Sequence, residues 1–367
     1  MPVAQQRPLD GTLIYSESDR AIADKFDALG GAAKLGAFEH KDFGKAWYLK
    51  NGSCICYNRE VKQAFELHGA IYRKWQELGG LHFATPCTDE TVAPDGIGLF
   101  NHFNHGKSIY WSPITGAHAI YGAIREKWQA LGWERSYLGY PLTDEVDFEG
   151  GRANGFQNGD IYWWEDLGAI DLRGVVIHYT GMYCFEETDG PGDDETYAVI
   201  SVSNERQSST LRTKIYGGMH QGQSRPEVPP MEIYRGKPYG LTIDTRLVEH
   251  DAGDPDSYRD DVKKIVMAAH EVGKVALGFI PIVGPAIAGI IGPKLDVLMP
   301  DVGDAIANIF GDVPIGANIH RVRGRDLVEW AARRQNRDQT GIGFKFDTGQ
   351  INGRGASYTV YYGIVPA

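Results

Sequence analysis

The sequence predicts an α+β protein: a three-copy helix-plus-β-hairpin repeat module, followed by a β-sandwich-like domain with a helical, apolar insertion. Three observations predict it. One block of residues recurs at a steady period. Each block opens with an apolar stripe at helical spacing. The second half changes to strand-like runs interrupted by one helical stretch. Trp75 and Trp128 lie 53 positions apart, Pro86 and Pro141 55, and Tyr110 and Tyr162 52. A period that constant marks one structural unit used repeatedly.

In chain order, residues 1–17 read as a tail. The repeats follow over about 18–66, 67–119 and 120–172. Ile71, Trp75 and Leu78 stand at i, i+4 and i+7, one stripe of a helix. Ile124, Trp128 and Leu131 repeat the stripe, and Ile22, Phe26 and Leu29 match it. Gly30, Gly79 and Gly132 follow directly and suit a helix C-terminal cap, where positive φ is needed. Short aromatic strands come next, entered through Asn51-Gly52, His105-Gly106 and Asn158-Gly159, which predicts a hairpin. One such unit cannot bury its own apolar face, but neighbours can bury each other's.

The third copy reads Leu138-Gly139-Tyr140-Pro141-Leu142-Thr143-Asp144-Glu145, and the second Pro86-Cys87-Thr88-Asp89-Glu90 with Gly116-Ala117-His118 after its aromatic strand. These blocks resemble the LGFP repeat family, over roughly residues 18–172. The first copy departs, with Leu35-Gly36-Ala37-Phe38 lacking the proline, and the second carries Phe83-Ala84-Thr85-Pro86 where Leu-Gly would stand. The resemblance implies a secreted or cell-surface protein and a glycan- or cell-wall-binding module.

Past Leu172 the period ends and Val175–Tyr179 opens a strand. Residues 173–367 read as a β-rich domain with strand-like runs at Thr196–Ser203, Leu241–Val248 and Ser357–Val365, and a helical insertion over about 256–312. Its Asp-rich loops loosely resemble those of calcium-binding C2-like sandwiches. Within the insertion, Val275–Pro293 holds no charge and many Ile, Leu and Val residues, near the lower length limit for a membrane span. Pro281 and Pro285 disfavour one straight helix there. The stretch therefore reads as buried core or as a membrane-inserting hairpin.

A formal charge of −11 with no basic stripe excludes nucleic acid as an expected partner. Met1–Gly11 is polar and carries no apolar signal region. Cys54, Cys56, Cys87 and Cys184 lack zinc spacing and read as buried thiols. There is no Gly-x-Ser-x-Gly elbow and no phosphate-binding loop, and Lys274 stands where a zincin helix begun by His270-Glu271 would need its second histidine. A cell-wall-acting hydrolase is thus the weakest of three readings, behind a targeted membrane-active effector and a glycan-binding protein.

Two sets of residues are candidates for binding. Tyr110, Trp111, Tyr162 and Trp163 recur at one place in the unit, and aromatic faces suit the C–H faces of a sugar, with Asp89, Asp144 and His118 to bond hydroxyls. Neighbours on a strand point to opposite faces, so one of each Tyr-Trp pair is expected in the core. The loop from Glu186 to Glu195 crowds six carboxylates with no base. Glu187, Asp189, Asp193, Asp194 and Glu195, completed by Asp251, would offer Ca²⁺ the hard oxygen ligands it prefers.

Overall fold

A computed structural model of the chain describes residues 16–250 apart from 43, 191 and 205, together with 256, 259, 260, 263, 264, 313–333 and 341–367. The helical insertion expected over about 256–312, including Val275–Pro293, lies almost wholly outside the described residues, as does most of the expected tail. The described protein is mostly β, in several antiparallel sheets. It divides into two compact units, residues 1–145 with 153–163, and 146–152 with 164–367.

Each repeat places one principal helix before four strands. The first has α1 (Glu17–Ala28) and a short α2 (Gly31–Leu35), then β1 (Phe38–Asp42), β2 (Ala46–Leu49), β3 (Ser53–Asn58) and β4 (Gln63–Leu67). The second has α3 (Gly69–Glu77), then β5 (Thr91–Val92), β6 (Leu99–Phe103), β7 (Lys107–Ser112) and β8 (Gly116–Tyr121). The third has α4 (Gly122–Leu131), then β9 (Val146–Phe148), β10 (Gly151–Phe156), β11 (Gly159–Trp164) and β12 (Gly168–Leu172). Each set pairs in simple chain order as a four-stranded meander. The expected two-strand hairpin is therefore only the middle of each sheet. The first strand of the second set is two residues long, and a turn closed by Ala93 N–H donating to Gly98 O at 2.8 Å joins it to β6.

The helices form where the apolar stripe falls. Ile22 and Phe26 are buried on α1, Ile71 and Trp75 on α3, Ile124 and Trp128 on α4. An indole buried to the extent of Trp75 removes about 200 Å² from water, worth about 5 kcal/mol of transfer free energy. Its Nε1 donates to Ala84 O at 2.7 Å, so burial leaves no polar atom unmet.

Strand alternation then builds the stack. On the first sheet Trp47, Leu49, Ile55 and Tyr57 face α1. Cys54, Cys56 and Leu67 turn the other way, onto Ile71 and Trp75 of α3. The same helix covers Phe103, Ile109 and Ala119 of the second sheet. The opposite face of that sheet sends Tyr110 edge-on to Trp128 of α4, ring centroids 4.7 Å apart. Helix and sheet alternate: α1 packs on the first sheet alone, while α3 and α4 each serve two sheets, as in other repeat arrays whose units contact only their neighbours.

In the second unit, β13 (Val175–Glu186), β17 (Ser224–Gly236), β20 (Phe344–Gly353) and β21 (Ala356–Pro366) form one sheet in the order β17-β13-β21-β20. The other sheet is β15 (Ser208–Arg212), β14 (Asp194–Ser203), β18 (Leu241–Glu249) and β19 (Val313–Val322) in that order, with β16 (Tyr216–Met219) pairing β14. Buried tyrosines of the first sheet bond to the second. Tyr179 donates to Tyr216 Oη at 3.2 Å, Tyr358 accepts from Thr196 at 3.3 Å, and Tyr362 meets Thr245 at 2.5 Å. Helix α5 (Gly324–Ala332) starts against Glu149, whose carboxylate accepts the Gly324 and Arg325 amides at 2.9 and 2.6 Å. A carboxylate at a helix N-terminus is favoured by unpaired amides and by the helix dipole.

Candidate functional site

The recurring aromatic strand splits by face. Tyr110 and Tyr162 are 2% and 0% exposed and belong to the core. The Tyr162 hydroxyl donates to Asp160 at 2.8 Å. As candidate ligand contacts these two are corrected: strand alternation aims both rings inward, where no ligand face remains. Trp111 and Trp163 are half-buried. Trp111 packs, partly buried, against the margin of the cluster built on Trp75 and Ile109.

Asp89 and Asp144, expected to bond sugar hydroxyls, instead join successive repeats. Lys25 of α1 donates to Asp89 at 2.5 Å, and the Glu66 amide at the end of the first sheet donates to the other oxygen at 2.9 Å. One repeat later Lys74 of α3 donates to Asp144 at 3.0 Å, and the Ala119 amide at 2.8 Å. The preceding threonines act alike: His102 N–H donates to Thr88 Oγ1 at 3.0 Å and Gly155 N–H to Thr143 Oγ1 at 2.9 Å. Asn101 and Asn154 complete the pattern. Each donates to its own repeat's threonine carbonyl, at 2.9 and 3.0 Å, and to the previous sheet, at Glu66 O and Ala119 O, at 3.4 Å. The Thr-Asp-Glu block is a clasp between neighbours.

His118 belongs to the second clasp. Its Nε2 lies 2.9 Å from Thr115 O and its Nδ1 3.6 Å from Asp144. Burial opposes the charge on Asp144, yet His118, the Ala119 amide and Lys74 together hold its carboxyl down at about 2. The Leu138-Gly139-Tyr140-Pro141 block is also structural. Leu138 is fully buried, and a side chain on Gly139 would strike Gln157. The Tyr140 hydroxyl donates to Asp95 at 2.7 Å and accepts the Gly98 amide at 3.0 Å.

The acidic loop is tied into its own sheets. Asp194 is 1% exposed. Its carboxylate accepts the Thr188 hydroxyl at 2.6 Å, the Thr188 amide at 3.1 Å and the Tyr358 hydroxyl at 2.6 Å. Glu187 accepts the Gln221 amide at 2.8 Å, and the Asp189 amide donates to Arg354 O at 3.0 Å. Glu195 and Asp193 are exposed or nearly so, and Asp251 lies outside the described residues. Among the described residues no group of three or more His, Cys, Asp or Glu side chains comes together to hold a metal ion. Asp194 is thus committed to protein donors in this arrangement, rather than free to offer an oxygen to a cation. No described helix is long and apolar enough to cross a membrane.

These repeats can be placed among known proteins. Residues 84–136 and 138–178 match the LGFP repeat family. The two matched stretches contain the Thr-Asp-Glu blocks and the aromatic strands of the second and third repeats. The LGFP repeat is a repeat of cell-surface proteins. No curated protein matches the chain. Sequence reasoning missed the clasp residues Lys25, Lys74, Asn101 and Asn154. The Asn residues sit at one place in the period, which was the available signal.

Proposed function

We propose that the LGFP repeats bind a polysaccharide of a cell surface. The observation that supports this reading is a tryptophan on the same strand of two successive repeats, Trp111 and Trp163, left half-buried while its tyrosine neighbour is sunk in the core. A repeat that needed only packing would bury both. A part-exposed indole offers a flat apolar face for a pyranose, and the second and third copies each present one such face, so a polymer can engage both at once. The clasp aspartates take no part in this contact. Their charge is already matched by lysine.

Replacing Trp111 or Trp163 with Ala is expected to weaken binding to an immobilised cell-wall polysaccharide by about 1–2 kcal/mol, the scale of a modest hot spot. Equilibrium binding read beside the far-UV spectrum checks it. Variants that stay folded and bind as the parent would remove these rings from the site.

A further inference from the structure

We propose that Phe100, His102, Arg125 and Trp133 form a second carbohydrate subsite, particular to the junction of the second and third repeats and built for a pyranose ring. It rests on the reading of the repeats as glycan binders, and it begins from a backbone anomaly. All three principal helices end alike. Gly30, Gly79 and Gly132 have φ of 105°, 106° and 104°. The residue after each has φ of 58°, 61° and 58°. In the first two repeats that residue is glycine, Gly31 and Gly80, but in the third it is Trp133. A bulky side chain in the left-handed region is a genuine outlier, and the conformation costs roughly 1–2 kcal/mol. Such strain gathers at binding and active sites.

The ring that this strain positions is not simply filling core. Trp133 is half-buried. It lies edge-on to Trp128 at 5.2 Å, stacks beside Tyr110 at 5.9 Å, and has the Arg125 guanidinium 4.9 Å from its centroid. On β6, Phe100 pairs with Tyr110 and His102 with Ser108, so these side chains share one face of the sheet. The His102 ring is 4.7 Å from Phe100 and 5.8 Å from Trp133. Phe100, His102, Arg125 and Trp133 are all half-buried, and together they form one part-exposed face.

Two polar heads are fixed within that face. Ser108, wholly buried, takes the Arg125 Nε–H at 2.7 Å and meets His102 Nδ1 at 2.8 Å. Burial, then the nearby Arg125, pushes the His102 pKa down to about 4, so the imidazole is neutral near pH 7. A patch needed only for packing has no use for an arginine and a histidine anchored on a buried serine. A pyranose does, because its C–H groups meet the rings while its hydroxyls meet the guanidinium and imidazole. The third repeat lacks the arrangement: the clasp bonds align His102 with Gly155, which has no side chain to offer.

The test uses the full chain and immobilised neutral and acidic polysaccharides. Trp133→Gly installs the residue of the sibling repeats and relieves the strain. It should keep the thermal midpoint and lose binding by about tenfold. Arg125→Gln keeps the ring packing and should also lose binding, more on the acidic polymer if Arg125 meets a sugar carboxylate. A folded Trp133→Gly that binds as the parent, while Trp163→Ala is weakened, overturns the subsite and leaves the repeats as glycan binders. If Trp133→Gly is destabilised, Arg125→Gln decides: unchanged affinity shows that the cluster serves packing alone. A parent protein that binds no polysaccharide overturns both readings.

Discussion

Asp194→Ala is expected to lower the unfolding free energy by about 3 kcal/mol, by the same amount in EDTA and in millimolar Ca²⁺. Three protein donors converge on this carboxylate, two from Thr188 and one from Tyr358, and all are buried. Removing the carboxylate leaves the Tyr358 O–H and the Thr188 N–H without their acceptor, and an unmet buried donor costs about 1–3 kcal/mol. The Tyr358 pKa is raised by burial first and by the bond to Asp194 next, so the tyrosine stays a proton donor throughout the working range. Asp194→Asn keeps an acceptor oxygen and should cost less. Thermal and denaturant unfolding of both variants, each with and without the cation, read the effect. A parent midpoint that rises with Ca²⁺ and a variant midpoint that does not would return the loop to cation binding.

Asp144→Ala should cost about 2 kcal/mol and loosen the third repeat from the second. Hydrogen bonds to a charged group contribute about 1.5–3 kcal/mol, and the lower part of that range applies because the Asp144 side chain is a third exposed. The same bonds make stability depend on pH. The Asp144 carboxyl sits at about 2 in the folded protein, against about 3.9 for an unperturbed aspartate. The clasp's contribution is therefore fully present above about pH 4 and is lost as pH falls towards 2. The parent should lose stability over that window and Asp144→Asn should lose less. Parallel acid titrations of the two proteins, followed by tryptophan fluorescence, make the comparison, and identical curves would show that the clasp carries no acid sensitivity.

Much of the repeat was legible because helical periodicity is local. Ile71 and Trp75, and Ile124 and Trp128, lie on the helices that their spacing predicts. The outer strands were not legible. Thr91-Val92 is too short for an alternating pattern. The clasp failed for another reason. Asp89 meets a lysine 64 positions away and Asp144 one 70 positions away, and an acid whose partner is that distant looks unpaired in sequence. Asp194 misled in the same way, since Tyr358 lies 164 positions on. Acidic residues clustered along a chain suggest a shared ligand, whereas folding had already given this one its own donors.

The clasp amides also mark how the array comes apart. Glu66 and Ala119 donate from the last strand of one repeat to an aspartate of the next. Solvent deuterons can replace those two protons only after neighbours separate, whatever happens inside either repeat. Their exchange rates report the coupling between adjacent copies, apart from the stability of each. In a linear chain of nearest-neighbour contacts, that coupling sets whether the copies melt as one body or peel away singly.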